Sequence, residues 1–152
     1  MAEQRKAEEL EARLREHEEE AISATCAPTD TYKCLVLLAW NELLAILMQT
    51  FIRNRIQYVR LEAGGKKEAI VSKFNDDPDI AAFFLHTKSQ SAGLNLVAAS
   101  YVFLVEPLLH PSLEVQAIAR VHRIGQQNKT TVFQYAIMNS VDERVAHLRA
   151  VS

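Results

Sequence analysis

The segment QAIARVHRIGQ, residues 116–126, carries the side chains best suited to chemistry on phosphates. On a helix, Gln116, Arg120 and Arg123 fall at positions i, i+4 and i+7, which share one face. Two arginines on one face repel each other unless an anion lies between them. Guanidinium groups match the geometry of phosphate oxygens and stay charged at any working pH. The pattern indicates a polyphosphate-binding surface, and a solvated basic helix face is the alternative.

A second candidate is the polar segment HTKSQSAGLNL, residues 86–96, which lies between two apolar strands. Its small residues, Gly93 among them, allow a ligand to approach the backbone closely. Thr87 and Lys88 are able to contact phosphate oxygens. When the segment is considered alone, an ordinary strand-to-helix turn explains it equally well.

The segments that must position these side chains alternate between strands and helices. Short apolar runs predict five strands, at residues 34–39, 56–61, 81–86, 101–106 and 131–137. The predicted helices are residues 41–53, 66–74 and 112–123, with a final helix from Val141. Pro111 opens the third of these helices and Ser112 caps it. This alternation is typical of βαβ units, so we predict a three-layer α/β domain with a mainly parallel sheet and its chemistry at the carboxyl ends of the strands.

The N-terminal segment, residues 2–22, predicts a helix because it is rich in Ala, Glu, Arg and Leu and contains neither Gly nor Pro. Residues 1–20 hold eight acidic and four basic side chains, a net charge of −4, which leaves +2 on the remaining 132 residues. The apolar stripe is thin: Ala7, Leu10, Leu14 and Ala21. We interpret this helix as a solvated linker, with a coiled-coil partner site as the alternative. The predicted division is an acidic linker helix and loop over residues 1–30 and one globular domain over residues 31–152.

The composition of the 152 residues, 49% hydrophobic and 24% charged, is ordinary for one globular domain. It excludes collagen-like, mucin-like and wholly disordered chains. No apolar run is long enough to span a bilayer, so we expect no membrane partner. Cys26 and Cys34 form no CxxC pair, and we interpret both as reduced thiols. The histidines show no metal-ligand spacing, so no metal site is predicted.

The two polar strings resemble motifs of a known family. QAIARVHRIGQ resembles the sixth helicase motif of the Swi/Snf-type ATPases, a branch of the superfamily-two DNA translocases, and HTKSQSAGLNL resembles their fifth motif. The intervening VEPLLHPSLE resembles especially the RING-containing ubiquitin-ligase helicases of the SHPRH type. The resemblance runs from Lys33 to the C-terminus. It implies the second RecA-like lobe, a P-loop NTPase type of fold, of a two-lobe motor that binds ATP and Mg²⁺ mainly through its first lobe.

Carried over to this sequence, the resemblance implies a role for five residues at the nucleotide. Arg120 and Arg123 match arginine fingers that approach the γ-phosphate. Gln116 matches a residue that helps to position the nucleotide. Gly93 and Asn95 match fifth-motif positions close to ATP.

The resemblance also implies partners. Thr87 and Lys88 match positions near the DNA backbone, so the expected partners are duplex DNA or chromatin and a first RecA-like lobe. The family implies a nuclear location and a DNA translocase or chromatin remodeller.

The sequence also departs from a complete motor of this family. It contains neither a GxxxxGK[ST] loop nor a DExH-like acidic box, and Gln90 and Ser91 stand where the fifth motif usually carries paired glycines. We therefore expect this chain alone to bind ATP poorly and to hydrolyse essentially none. Half of a DNA-dependent ATPase is the leading hypothesis. A degenerate, non-catalytic module that binds DNA or a protein partner is the alternative, and an unrelated nucleotide-binding α/β domain is the third.

Overall fold

A computed structural model of the chain describes residues 2–23, 32–61, 64–89, 93–108, 110–124, 126 and 128–151. In chain order these residues form α1 (Ala2–Ser23), β1 (Lys33–Leu38), α2 (Asn41–Arg53), β2 (Gln57–Arg60), α3 (Lys67–Asp76), β3 (Ile80–His86), β4 (Ala99–Leu104), α4 (Pro111–Val121), β5 (Thr131–Gln134) and α5 (Val141–Val151). No helix within these ranges is long and apolar enough to cross a membrane.

The five strands form one sheet in the order β2-β3-β1-β4-β5, and every pair of neighbours is parallel. All six residues of β1 are buried, and five of the seven residues of β3 are buried as well. Strands in the middle of a parallel sheet are covered on both faces, which is why their sequences are almost continuously apolar. The predicted mainly parallel sheet is confirmed.

Helices cover both faces of this sheet and create two hydrophobic cores. On one face, Phe74 of α3 and Ala117 and Val121 of α4 pack against alternate residues of the strands. On the other face, α2 buries Leu47 and Phe51 against the remaining strand residues. The arrangement is a three-layer α/β fold, as predicted.

The first half of α1 belongs to the second core. Ala7 is 1% exposed and Leu10 is 0% exposed, and both pack in the layer that contains α2. The Lys6 ammonium forms an ion pair with Asp142 at the start of α5, with 2.8 Å between Nζ and Oδ2. The interpretation of the helix as a solvated linker is therefore incorrect for this half. Its thin apolar stripe packs beside α2 in the same core. The predicted boundary at residue 30 stays a prediction, since residues 24–31 lie outside the described residues.

The last predicted strand is longer than the one observed. The sequence predicts residues 131–137, whereas β5 ends at Gln134. Its neighbour β4 ends at Leu104, and the Tyr135 N–H donates the last hydrogen bond of this ladder to the Leu104 carbonyl at 2.9 Å. Among the described residues, no strand pairs with the apolar residues after Tyr135, which leave the sheet.

Candidate functional site

Helix α4 carries two of the predicted phosphate-binding side chains. Pro111 occupies its first turn, and His110 precedes it without a side-chain capping hydrogen bond. Ser112 is therefore not the cap that the sequence predicted; it lies within the first turn with an exposed side chain. Proline suits this place because the N–H that it lacks would have no partner in the first turn of a helix.

The end of α4 changes the predicted arrangement of the three polar side chains. The helix ends at Val121, so Arg123 lies beyond it. Only Gln116 and Arg120 share a helix face. The Arg123 Nε donates to the Ala119 carbonyl at 3.2 Å, where a cation interacts favourably with the last carbonyls of the helix.

Arg120 lies in a different environment from its two neighbours in the motif. Gln116 and Arg123 are exposed, whereas Arg120 is partly buried. Its Nε is buried and has no hydrogen-bond partner among the described residues. Its carbonyl accepts the N–H of Leu96 at 3.0 Å, which joins the end of α4 to the preceding polar segment. A buried donor without a partner costs about 1–3 kcal/mol, and an acceptor such as a phosphate oxygen relieves this cost only if the side chains that cover Nε move to admit it.

The connection from β3 to β4, residues 87–98, is called the crossover below; residues 90–92 lie outside its described part. Gly93 has a φ of +81°, and a Cβ built there would meet nothing within 4 Å, so this position favours glycine for its backbone conformation rather than for space. The Asn75 side chain donates to the Asn95 carbonyl at 2.9 Å and accepts the Ala98 N–H at 3.3 Å. These two hydrogen bonds fix the second half of the crossover against α3.

A cleft of about 480 Å³ separates α3 from the crossover. Gly93 and Asn95, the two fifth-motif residues predicted near ATP, line it together with residues of α3. Gln116, Arg120 and Arg123 are not among its lining residues. The structure therefore places the predicted nucleotide residues on two sides of the crossover rather than in one described pocket.

The topology also divides the predicted site residues between the two edges of the sheet. Thr87 and Lys88 follow β3 directly and lie at the carboxyl edge, where the Thr87 N–H donates to the Leu38 carbonyl at 2.8 Å. Asn95 and Arg120 lie at the amino edge, because α3 and α4 run antiparallel to the strands and end near the first residue of β4. A six-residue strand separates the two groups by roughly 20 Å. The structure therefore places Thr87 and Lys88 at the carboxyl ends of the strands, as expected, and Asn95 and Arg120 at the opposite edge.

At the carboxyl edge, a second cleft of about 310 Å³ lies between the start of α2 and the ends of β2 and β3. Its lining residues are Asn41, Leu44, Arg60, Leu61, Phe84, His86 and Ser89. His86 and Ser89 belong to the polar segment 86–96 that was a candidate from the sequence, whereas no role in binding was predicted for the other five. Arg60 and His86 end two neighbouring strands. The sequence does not reveal this proximity, because it depends on the order of the strands in the sheet.

Glu106 is a positioning residue that the sequence analysis also missed. Its side chain is buried, and its Oε1 accepts the backbone N–H groups of Ala39 at 2.5 Å and Trp40 at 3.2 Å. These two residues form the turn from β1 into α2. Glu106 therefore fixes the position of Asn41 at the rim of the second cleft.

Two further side chains fix the amino edge. The Gln126 Nε2 donates to the Ala99 carbonyl at 2.6 Å and to the Val121 carbonyl at 3.3 Å, which ties the end of α4 to the start of β4. Lys33 donates to the carbonyls of Phe74 and Asp77 at the end of α3. Burial lowers the pKa of the Lys33 ammonium, and the nearby carboxylates of Asp77 and Asp76 partly oppose this shift. These contacts hold in place the helix ends that carry Asn75 and Arg120.

The chain matches the helicase conserved C-terminal domain over residues 6–125. It is 35% identical to E3 ubiquitin-protein ligase SHPRH of Homo sapiens over 113 residues, which is 74% of this chain and 7% of that protein. It is 30% identical to DNA repair protein RAD5A of Arabidopsis thaliana over 121 residues, which is 78% of this chain and 12% of that protein. The crystal structure of the C-terminal part of the Fun30 ATPase domain superposes with a TM-score of 0.72 at 28% identity, over 77% of this chain and 38% of that one.

This chain thus spans only a small fraction of the length of the curated relatives it matches. The family match includes most of α1, in agreement with the packing of that helix. The parallel five-stranded sheet and its covering helices have a solved counterpart in an ATPase domain. The chain belongs to the helicase conserved C-terminal domain family, as a second RecA-like lobe of the Swi/Snf type.

Proposed function

We propose that this chain is one half of a DNA-dependent ATPase, in which it completes the nucleotide site of a first RecA-like lobe and contacts duplex DNA. The observation that carries this proposal is the environment of Arg120. Its Nε is a buried donor with no partner among the described residues, on a helix whose end is bonded to the crossover. Such a group is prepared for an anion that the chain itself does not supply.

Arg120 and Arg123 are proposed to stabilise the charge that develops on the γ-phosphate during phosphoryl transfer. ATP supplies the phosphoanhydride bond, and Mg²⁺ is held mainly by the first lobe. Phosphoryl transfer requires little covalent assistance from the protein, so charge stabilisation by an arginine accounts for about 10³–10⁵ in rate. Gln116, which shares the exposed face of α4 with Arg120, is proposed to orient the nucleotide.

Gly93 and Asn95 are proposed to lie close to ATP from the crossover side. Gly93 leaves the backbone uncovered, and Asn95 has an exposed side chain while its carbonyl is held by Asn75. A fixed backbone with an exposed polar side chain suits a residue that must meet a ligand held by another lobe.

Thr87 and Lys88 are proposed to contact the DNA backbone. They lie at the carboxyl edge, across the sheet from Arg120, so DNA and nucleotide are able to bind at the same time. Relatives bear the names of a DNA repair protein and a helicase-like transcription factor. On this basis we propose duplex DNA or chromatin as the substrate and the nucleus as the location.

DNA-stimulated ATP turnover of the two-lobe protein that contains this chain tests the arginine assignment. Arg120→Ala and Arg123→Ala are each expected to lower kcat by roughly 10³-fold or more, with unchanged thermal unfolding. Arg144→Ala is the matched control, because Arg144 is an exposed arginine on another helix, α5. If both variants keep turnover within tenfold of wild type, the arginine assignment is refuted and the non-catalytic module is favoured.

A further inference from the structure

We infer that Asn75 is a positioning residue for ATP turnover. Its side-chain amide fixes the peptide group between Asn95 and Leu96, and this peptide group in turn holds the end of α4 that carries Arg120. The inference rests on the proposed function, because it assumes that Arg120 acts on the γ-phosphate. Asn75 lies on α3, outside both segments that resemble the helicase motifs.

The peptide group that joins Asn95 to Leu96 is hydrogen-bonded at both ends. Its carbonyl oxygen, that of Asn95, accepts a hydrogen bond from Asn75 Nδ2 at 2.9 Å. Its N–H, that of Leu96, donates to the Arg120 carbonyl at 3.0 Å. These groups form one chain of hydrogen bonds from the end of α3 to the end of α4. Hydrogen bonds in such a chain polarise and strengthen one another, so the loss of the first weakens the second.

The amide of Asn75 makes a second hydrogen bond to the same segment, and this bond fixes its orientation. The Ala98 N–H donates to Asn75 Oδ1 at 3.3 Å. A carbonyl oxygen requires a donor and an N–H requires an acceptor, so the two backbone partners define which atom of the amide is nitrogen. Position 75 therefore needs a donor and an acceptor on the same short side chain. An ionised aspartate supplies only the acceptor.

The orientation of this one peptide group affects two of the residues proposed to act at the nucleotide. Helix α4 ends at Val121, so the Arg120 carbonyl is among the last four, which have no partner within the helix. The Leu96 N–H supplies that partner. Leu94 and Leu96 are buried on either side of Asn95, whose side chain is exposed. Rotation of the peptide group therefore turns the Asn95 side chain and releases the Arg120 carbonyl together.

Other contacts maintain the fold around this peptide group, so the loss of Asn75 has a local effect. Gln126 Nε2 donates to the carbonyls of Ala99 and Val121, which ties α4 to β4. Lys33 donates to two carbonyls at the end of α3. Asn75 itself is only partly buried, so water is able to replace its hydrogen bonds. Replacing Asn75 is therefore expected to reduce turnover far more than stability.

DNA-stimulated ATP turnover of the two-lobe protein that contains this chain is the functional readout. Asn75→Ala is expected to lower kcat roughly 10²-fold, the cost of a displacement of about 1 Å in a group that acts on the transition state. The KM for ATP is expected to stay within about threefold, because the first lobe is proposed to hold most of the nucleotide. Asn75→Asp removes only the donor to the Asn95 carbonyl and is expected to be as slow as Asn75→Ala.

Asn54→Ala is the matched control. Asn54 Nδ2 donates to the Thr50 carbonyl at 2.8 Å, so it is also an asparagine at a helix end, but on the other face of the sheet. Both alanine variants are expected to lower the Tm by about 2–4 °C. Only Asn75→Ala is expected to lower kcat.

Amide hydrogen exchange of the full chain, followed by NMR, reports on the peptide group directly. Asn75→Ala is expected to speed the exchange of the Leu96 and Ala98 amide protons roughly tenfold or more, with the amides of β1 unchanged. Asn75→Asp keeps the acceptor for Ala98, so only Leu96 is expected to exchange faster. The Arg120 Nε–H resonance is expected to shift in both Asn75 variants and to stay in place in Asn54→Ala.

Three results overturn the inference: a kcat within about threefold of wild type in both Asn75 variants, a loss of kcat that Asn54→Ala shares, or unchanged exchange at Leu96. If Arg120→Ala keeps its turnover, the proposed function fails and the inference fails with it. If Arg120→Ala abolishes turnover and the Asn75 variants do not lower it, the inference fails alone.

Discussion

Replacing Glu106 tests whether one buried carboxylate fixes the entrance to α2 and so the rim of the carboxyl-edge cleft. Glu106→Ala removes an acceptor shared by two backbone N–H groups, those of Ala39 and Trp40. No other acceptor for these groups is present among the described hydrogen bonds. Glu106→Gln keeps an oxygen at the same place and removes only the charge. The pair therefore separates the value of the hydrogen bonds from the value of the charge.

The two substitutions differ in their expected cost. A hydrogen bond to a charged acceptor contributes about 1.5–3 kcal/mol and a neutral one about 0.5–1.5 kcal/mol. Because one of the two bonds is long, at 3.2 Å, we expect Glu106→Ala to lower the free energy of unfolding by about 3–5 kcal/mol. The loss of charge alone in Glu106→Gln costs about 1–2 kcal/mol. The first value is a large share of a total stability of about 5–15 kcal/mol.

Urea unfolding of the full chain, followed by circular dichroism, measures both values. Glu42→Ala is the control, because Glu42 is exposed in the first turn of α2 and contributes only about 0.3–1 kcal/mol through the helix dipole. The reasoning is refuted if Glu106→Ala costs no more than Glu42→Ala. It is also refuted if Glu106→Gln is as damaging as Glu106→Ala, because the oxygen would then have no value of its own.

Three further predictions concern the backbone of the crossover and two shifted pKa values. Gly93→Ala is expected to lower the free energy of urea unfolding by about 1–2 kcal/mol, since φ is positive and no atom obstructs a Cβ. Gly64→Ala, at a φ of +79°, is the control: it is expected to have the same cost in stability and to leave ATP turnover of the two-lobe protein unaffected. Equal turnover in the two variants would contradict the role of Gly93. Burial lowers the pKa of Lys33 below 10.5. Between the folded pKa and 10.5 the unfolded state therefore binds more protons at this group than the folded state does. The contribution of Lys33 to the free energy of unfolding rises with pH across that window. Lys33→Met is expected to abolish this rise, and a variant with an unchanged pH profile would contradict the assignment. Burial raises the pKa of Tyr135 above 10.0, and Arg13 partly opposes this shift. The contribution of this tyrosine to the free energy of unfolding is therefore complete below pH 10.0. It is lost as the pH rises from 10.0 through the folded pKa. Tyr135→Phe is expected to remove that alkaline loss, as measured by thermal unfolding at a series of pH values.

Much of the fold could be predicted from the sequence because central parallel strands have a distinctive pattern. The runs CLVLLA (residues 34–39) and AAFFL (residues 81–85) are apolar at every position, which is required when both faces of a strand are covered. The edge strand β5 alternates instead between exposed and partly buried residues. Its end was predicted less well, because the end of a strand depends on the length of its neighbour.

The candidate site was predicted less completely, for reasons of geometry. Residue spacing places Gln116 and Arg120 on one helix face, but it does not show that the helix ends before Arg123. The burial of Leu10 depends on an empty place in the layer beside α2, which no local pattern reveals. Glu106 and Asn75 act through backbone groups far away in sequence, and any residue type supplies such groups. Their roles emerge only from the tertiary structure.

The crossover connects the two contacts proposed for this lobe, one with DNA and one with nucleotide. It begins beside His86 at the carboxyl edge, and it ends where Leu96 donates to the Arg120 carbonyl at the amino edge. Between these ends the sheet is fully packed, so its strands do not shift independently. Asn75 fixes the second half of the crossover against α3. The proposed DNA contact at Thr87 and Lys88 and the proposed nucleotide contact at Arg120 lie near opposite ends of this connection, so any coupling between them requires that the connection have two arrangements.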